Sequence, residues 1–261
     1  MDLNNIDTLY KVTALLVSLT LIYAFCASNK AIPKKCMDTI KRTLFTIPFL
    51  GRILTIRKAG IVTFFASRDD ISKYRSISNR EDYIRQNTRF SFIYMGMWIG
   101  SQAKAEENEQ LRLCIEQLLK NNIPVDLYFA EPDMNEKDLA YLSEYYSMDS
   151  LTLKKEIESC LNFWINFKVQ VQQEDKLTSQ KLTIFTHSHL LTCSLFLFNS
   201  KSFPRPKKQK IFLDQKLYKF SKEHSFAMEV RYKKSPNSLF NKLIDVFNAV
   251  KKDSTERFIH S

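Results

Sequence analysis

Two histidines separated by one residue, His187 and His189, are the first residues in this chain whose type and spacing could do chemistry. An H-x-H pair at a strand end can serve as acid and base, or hold a metal when a carboxylate joins it. Glu229 is the carboxylate expected to join them, so the set His187, His189 and Glu229 is the catalytic candidate if the chain is an enzyme. Ser67 and Arg68 follow an apolar run that reads as a strand, and Gly100 and Ser101 close another. Ligands of open α/β sheets gather at the carboxyl ends of strands. An arginine there can grip a phosphate or carboxylate with two parallel hydrogen bonds, so these four are the ligand-binding candidates.

The elements that must position them follow from hydropathy patterning. IVTFF at 61–65 is a short apolar run read as a strand, 82–87 reads as a short helix, and 90–99 is the strongest strand of the first half. Over 106–121, Leu111, Cys114, Ile115, Leu118 and Leu119 recur at helical spacing, and PVDLYFA at 124–130 is the next strand. Strand, helix and strand in that order imply a parallel pair with a right-handed crossover. Residues 135–171 are helical in pattern, with a break near Asp149 and Ser150, and 170–180 reads as a polar loop. Strands are expected at 181–186, 193–198 and 225–232, with a basic loop at 201–210 (KSFPRPKKQK) and an amphipathic helix over 238–250 capped by Ser235 or Asn237. The order suggests a crude duplication of strand, helix and strand in the two halves. The fold class is mixed α/β, a mixed sheet flanked by helices.

Composition narrows the function classes. Only 4 glycines occur, which argues against a glycine-rich phosphate loop, and no cofactor is implied. The five cysteines, Cys26, Cys36, Cys114, Cys160 and Cys193, are odd in number and lack CxxC spacing, so neither a disulfide framework nor a zinc site is suggested. Cys114 and Cys160 fall on apolar helical faces and are expected in the core. The net charge of +11 favours anionic partners such as phospholipid headgroups, nucleic acid or phosphorylated and nucleotide ligands, although a solvated lysine surface explains the same number.

The amino terminus has a different character. Residues 12–29 (VTALLVSLTLIYAFCASN) are 18 positions without charge, proline or glycine. As a helix they span roughly 27 Å, the thickness of a bilayer core. Val12, Leu16, Leu19 and Tyr23 are the expected lipid contacts. Asp2, Asp7 and Lys11 precede the stretch, and Lys30, Lys34, Lys35, Lys41 and Arg42 follow it. The excess of cations behind it places the carboxyl-terminal side in the cytoplasm. The expectation is a single-pass protein of the inner (cytoplasmic) membrane whose carboxyl-terminal domain is cytoplasmic. A cleaved signal peptide would want a basic start, and a buried helix would need apolar neighbours on every side. Residues 36–57 mix apolar and basic positions, either an amphipathic piece on the anionic leaflet or a linker helix packed on the domain. The expected organisation is an anchor at 1–30, a basic juxtamembrane segment at 31–59 and an α/β domain at 60–261.

Three stretches of that domain together resemble the phospholipase D-like superfamily. They are GIVTFFASRDD at 60–70; IYMGMWIG at 93–100 with its helix and PVDLYFAEP at 124–132; and CSLFLFN at 193–199 followed by SFAME at 225–229. Active members of that family carry HxKxxxxD, in which one histidine attacks phosphorus, a second protonates the leaving group and the lysines hold phosphate oxygens. Laid on 192–199, the motif puts Thr192 where the histidine belongs, Ser194 where the lysine belongs and Asn199 where the aspartate belongs. No histidine precedes His187. The resemblance therefore implies a membrane-anchored, catalytically inactive phospholipase D-like protein, a sensor or effector that binds a ligand, a protein partner or a second copy of itself. Anchored domains of this sort resemble effectors of bacterial stress or phage defence. Two other readings stay open: a phosphodiesterase, phospholipase or nuclease with a divergent site at His187, His189 and Glu229, and an anchored nucleic-acid binder using the basic loop.

Overall fold

All four residues of Phe92–Met95 and all six of Val125–Ala130 are buried. Strands with no solvent face belong in the middle of a sheet covered by helices on both sides. The computed structural model describes residues 56–65, 79–99, 105–200, 208–215 and 226–257, with the side chains of 105–107 set aside. Apart from Ile56 and Arg57, these residues belong to a compact unit, Lys58–Ser261; a second unit, Met1–Arg57, lies almost wholly outside them.

The described elements are β1 (Ile61–Phe65), α1 (Arg80–Asn87), β2 (Phe92–Met95), α2 (Ala105–Lys120), β3 (Val125–Ala130), α3 (Glu136–Tyr146), α4 (Ser150–Glu174), α5 (Lys176–Ser179), β4 (Leu182–His187), β5 (Cys193–Phe198), β6 (Lys210–Gln215), β7 (Phe226–Arg231), α6 (Leu239–Lys252) and β8 (Thr255–Glu256). The strands form one eight-stranded mixed sheet in the order β1-β7-β6-β5-β2-β3-β4-β8. β2, β3 and β4 are parallel, and every other pairing is antiparallel. It follows that β1, β2, β3, β4 and β6 run one way and β5, β7 and β8 the other.

Each strand sends alternate side chains to opposite faces, and both faces are apolar. On one face Phe92, Tyr94, Leu127, Phe129, Ile184, Phe196, Phe198 and Phe212 pack against Ile84 of α1, the α2 stripe and Trp164 and Phe167 of α4. On the other, Ile93, Met95, Leu195, Leu197, Ile211, Leu213 and Val230 pack against Leu243, Phe247 and Val250 of α6 and Leu142 of α3. α4 serves both layers, because Leu153 and Ile157 in its first turns join the second cluster while Cys160 through Val171 join the first. Cys114 and Cys160 are buried, as their spacing required.

Several boundaries depart from expectation for identifiable reasons. The α4 helix runs on to Glu174, with Val171 still buried, and α5 follows, so 170–180 is not a loop. One apolar contact per turn holds a polar tail in a helix. Asp149 caps α4 by accepting the Thr152 N–H, which explains the break. Ser238, rather than Ser235 or Asn237, caps α6; its hydroxyl accepts from the Asn241 N–H at 3.3 Å. The β6 and β8 strands had no counterpart in the pattern. The expected duplication is absent among the described elements: β2 and β3 are joined by a crossover helix, whereas β5, β6 and β7 form an antiparallel meander. No described helix is long and apolar enough to cross a membrane. Val12, Leu16, Leu19, Tyr23 and the whole basic segment of the expected anchor lie outside the described residues.

Candidate functional site

The carboxyl ends of β1, β2, β3, β4 and β6 share one end of the sheet with the amino ends of β5 and β7. At that end, on the face covered by α1, α2 and α4, Ser194 of β5 is the register partner of Asp214 of β6, and Asp214 is the partner of Ala227 of β7. Gly96 follows β2 on the other side of Ser194. A Cβ built on Gly96 would lie 2.4 Å from the Tyr94 hydroxyl and 2.9 Å from Ser194 Oγ, so only glycine leaves room for the tyrosine. That hydroxyl donates to the Trp98 carbonyl at 2.7 Å and stands 3.2 Å from Ser194 Oγ.

Gln215, next along β6, donates from Nε2 to the Tyr145 hydroxyl at 3.0 Å and to the Thr192 carbonyl at 2.9 Å. The Tyr146 hydroxyl donates to the Leu191 carbonyl at 3.2 Å, and its ring meets Trp98 edge-on at 4.9 Å between centroids. Burial pushes the Tyr94 and Tyr146 hydroxyls up, so both stay neutral in the physiological range. The Cys193 thiol is pushed up to about 11, by burial first and by the charge of Asp214 second. It is a thiol rather than a thiolate nucleophile at neutral pH. The β5–β6 part of this strand end therefore presents hydroxyls, an amide and a carboxylate, while the imidazoles of the same end, His187 and His189, stand at the end of β4.

The three motif positions divide between the two ends of β5. Thr192 and Ser194 are at the end just described. Asn199 is at the other, 2% exposed, with φ of 62°. Its Oδ1 accepts from the Arg89 and Phe90 N–H groups at 2.8 and 3.0 Å, and its Nδ2 donates to the Asn87 and Lys208 carbonyls at 2.9 and 3.1 Å. Asparagine tolerates the left-handed backbone better than most residues, and here it clamps the entrances of β2 and β6.

The structure does not assemble the set His187, His189 and Glu229. His187 ends β4 and points to the face covered by α6, while Glu229 lies on β7 and points to the opposite face. Four strands, β6, β5, β2 and β3, lie between them. At the usual spacing that is about 24 Å. Both sit near strand ends, but the wide sheet holds them apart. His187 and His189 do lie together, with ring centroids 6.2 Å apart. His187 Nε2 is 3.3 Å from the Gly96 carbonyl, and its Nδ1 is buried with no hydrogen-bond partner among the described residues. Burial pushes this imidazole down to about 4. His189 Nε2 is 3.1 Å from Oδ2 of Asp253 at the end of α6.

Glu229 is fully buried in a different setting. It accepts from the Tyr83 hydroxyl at 2.7 Å and from Arg231 Nε at 3.1 Å, and Lys210 Nζ is 3.7 Å away. Burial alone would raise its pKa, but the tyrosine and the two cations outweigh it and hold the carboxyl below its usual value. This is a bracing ion cluster between α1 and the sheet.

Ser67 and Arg68, which follow β1, and Gly100 and Ser101, which follow Ile99, lie outside the described residues. Among the described residues no group of three or more His, Cys, Asp or Glu side chains could hold a metal ion. Tyr94, Tyr145, Asp214 and Gln215 were not singled out in the sequence. The signal that would have found the last two is the short apolar run Ile211-Phe212-Leu213, which directly follows the basic loop at 201–210.

No protein-family model and no curated protein matches the sequence. Among solved structures, the chain is similar to phosphatidylserine synthase from Haemophilus influenzae Rd KW20 at 10% identity and a TM-score of 0.45. The similarity covers 74% of this chain and 39% of that one, so the chain spans about two fifths of that protein's length.

Proposed function

We propose that the chain is a membrane-anchored, non-catalytic protein with a phospholipase D-like domain, a sensor or effector that binds a ligand or protein partner at the carboxyl ends of its strands. The observation that carries this reading is the pairing of Ser194 with Asp214. Where the resemblance implies a lysine to hold phosphate oxygens, the strand presents a hydroxyl beside a carboxylate. The Ser194 hydroxyl carries no charge to offset the negative charge developing on a transferred phosphoryl group. Thr192 offers no imidazole to attack phosphorus. His189, the nearest histidine along the chain, is held 3.1 Å from Asp253, and His187 is buried on the opposite face and stays neutral to about pH 4. The retained part is the strand itself, through its buried apolar residues, with Asn199 clamping its far end where the motif has aspartate.

The test is turnover by the full chain on a chromogenic phosphodiester, single-stranded DNA and phospholipid vesicles, with His187→Ala and His189→Ala alongside. The expected result is no turnover with any substrate while the protein remains folded by circular dichroism. Turnover abolished by either substitution would overturn the non-catalytic reading and move the active site to the end of β4. Retention of the chain in the pellet after alkaline carbonate extraction tests the anchor at 12–29.

A further inference from the structure

We infer that the amino-terminal end of the sheet, opposite the candidate site, is a docking surface for an anionic lipid bilayer. Lys58, Arg89, Lys208, Lys233 and Lys234 are all exposed there. Backbone contacts gather them into one surface. Arg231 N–H donates to the Gly60 carbonyl at 2.9 Å, and Lys233 Cγ lies 3.2 Å from where a Cβ on Gly60 would stand. Tyr232 N–H donates to the Gln209 carbonyl at 3.2 Å, joining the end of β7 to the start of β6. Asn199 ties Lys208 to Arg89 and Phe90.

No Asp or Glu occurs in 58–60, 88–91, 199–200, 208–210 or 231–237, the described ends of β1, β2, β5, β6 and β7 on this side, whereas Glu174 and Asp175 are exposed ahead of β4 at the far edge. Glu229, on β7, is fully buried and already engaged by Arg231 and Lys210. Phe90 is 39% exposed among the cations, with Lys208 Nζ 5.4 Å from its ring centre. Cations that reach anionic headgroups, with an aromatic ring to enter the interface, are what a bilayer surface recognises.

Nucleic acid would also attract this charge and stack on Phe90. The path of the chain decides for lipid. The domain begins at this end, through Lys58 and Gly60, and the uncharged stretch 12–29 precedes it in the same chain. The inference rests on the anchored reading, and it turns the candidate site away from the membrane, roughly one strand length or 20 Å further off.

The experiment uses the full chain reconstituted in phosphatidylcholine vesicles with or without phosphatidylglycerol. A photo-crosslinking phenylalanine analogue replaces Phe90 or, as the control, Tyr141, which is exposed on α3 near the other end of the sheet. Lipid crosslinking at Phe90 is expected to exceed that at Tyr141 at least tenfold when phosphatidylglycerol is present, and to fall with salt. The combination Arg89→Gln, Lys233→Gln and Lys234→Gln is expected to lower it by tenfold or more, since each cation near an anionic surface is worth about fivefold in partitioning. Equal crosslinking at both positions, indifference to phosphatidylglycerol, or transfer of the Phe90 crosslink to added duplex DNA would overturn the inference. Carbonate extraction of the same samples reads the anchor separately. Release with the Phe90 preference intact would remove the anchor and leave the surface standing; retention without the preference would do the reverse.

Discussion

The hydroxyl of Tyr83 donates to Oε2 of Glu229 at 2.7 Å, joining α1 to β7 across 146 residues of sequence. Helix α1 lies on the sheet through this bond and through the Tyr83 ring, whose centroid is 5.1 Å from that of Phe212 and 5.7 Å from that of Phe198. Tyr83→Phe keeps the ring and removes the donor. It should cost about 1–2 kcal/mol in urea unfolding, the value of one buried bond to a charged acceptor. Glu229→Ala, which leaves Lys210 without its buried counter-charge, should cost more, roughly 3 kcal/mol. If Glu229→Ala proved neutral, the cluster would not be bracing the fold.

Asn199 allows a sharper test of the strand end it clamps. The family motif implies aspartate at this position, but the Nδ2 donor faces the carbonyls of Asn87 and Lys208. Asn199→Asp would set a carboxylate oxygen against two carbonyl oxygens while leaving the two N–H donors satisfied. It should destabilise by about 1–3 kcal/mol. Asn199→Ala loses all four bonds and meets the strain of φ at 62°, so it should be worse. Thermal unfolding of the two variants gives their order, and a stable Asn199→Asp would refute this account of the clamp.

Gly96 and Tyr94 should behave as a coupled pair. Gly96→Ala places a methyl group 2.4 Å from the Tyr94 hydroxyl. The overpacking should cost about 1–3 kcal/mol. Tyr94→Phe removes the hydroxyl but leaves the ring carbon that carried it, 2.9 Å from the same point. The double variant should therefore recover part of the loss, and a double-mutant cycle should return a coupling energy of at least about 0.5 kcal/mol. Strict additivity would mean that the two groups do not compete for the space.

His187 ties stability to pH. Its folded-state pKa is lowered to about 4 from 6.5, by burial first, so between those values the unfolded chain binds a proton that the folded chain rejects. Stability from this group is complete above pH 6.5, declines as pH falls toward 4, and changes no further below that. The full effect is on the order of 3 kcal/mol. Glu229, with its pKa held below the usual 4.5, contributes stability that is present above that value and is lost as pH falls through its lowered folded-state pKa. His187→Leu should flatten the decline between pH 6.5 and 4 in urea unfolding while leaving the acid limb in place.

How much of this was legible in the sequence depended on whether the signal was local. Val125–Ala130 and Cys193–Phe198 appear as short apolar runs, and the α2 stripe at Leu111, Cys114, Ile115 and Leu118 repeats at the helical period, so these emerged with nearly correct limits. Lys210–Gln215 offers only three consecutive apolar residues directly behind the basic loop at 201–210, too short a run to stand out as a strand, and Asp214 and Gln215 were missed with it. The largest error concerned neighbourhood. His187 and Glu229 each lie where a strand of the right kind was expected, but their separation is a property of strand order. β5 inserts beside β2 and sends β6 and β7 outward, away from β4. Hydropathy reports which face of a strand is buried and is silent on which strand lies beside it.

The pairing of β1 with β7 has a consequence for synthesis. β1 enters the sheet at Ile61, yet its strand partner among the described elements begins at Phe226. Such a non-local pair forms slowly, because the loop between the two strands must close before any contact rewards it. A ribosome will have delivered the apolar stretch 12–29 and most of the domain before β7 exists. Until then Phe64 lacks Phe226, the ring it stacks on, and β6 lacks one of its two strand neighbours. The edge of β6 that β7 later covers is therefore among the last parts of the sheet to gain a partner.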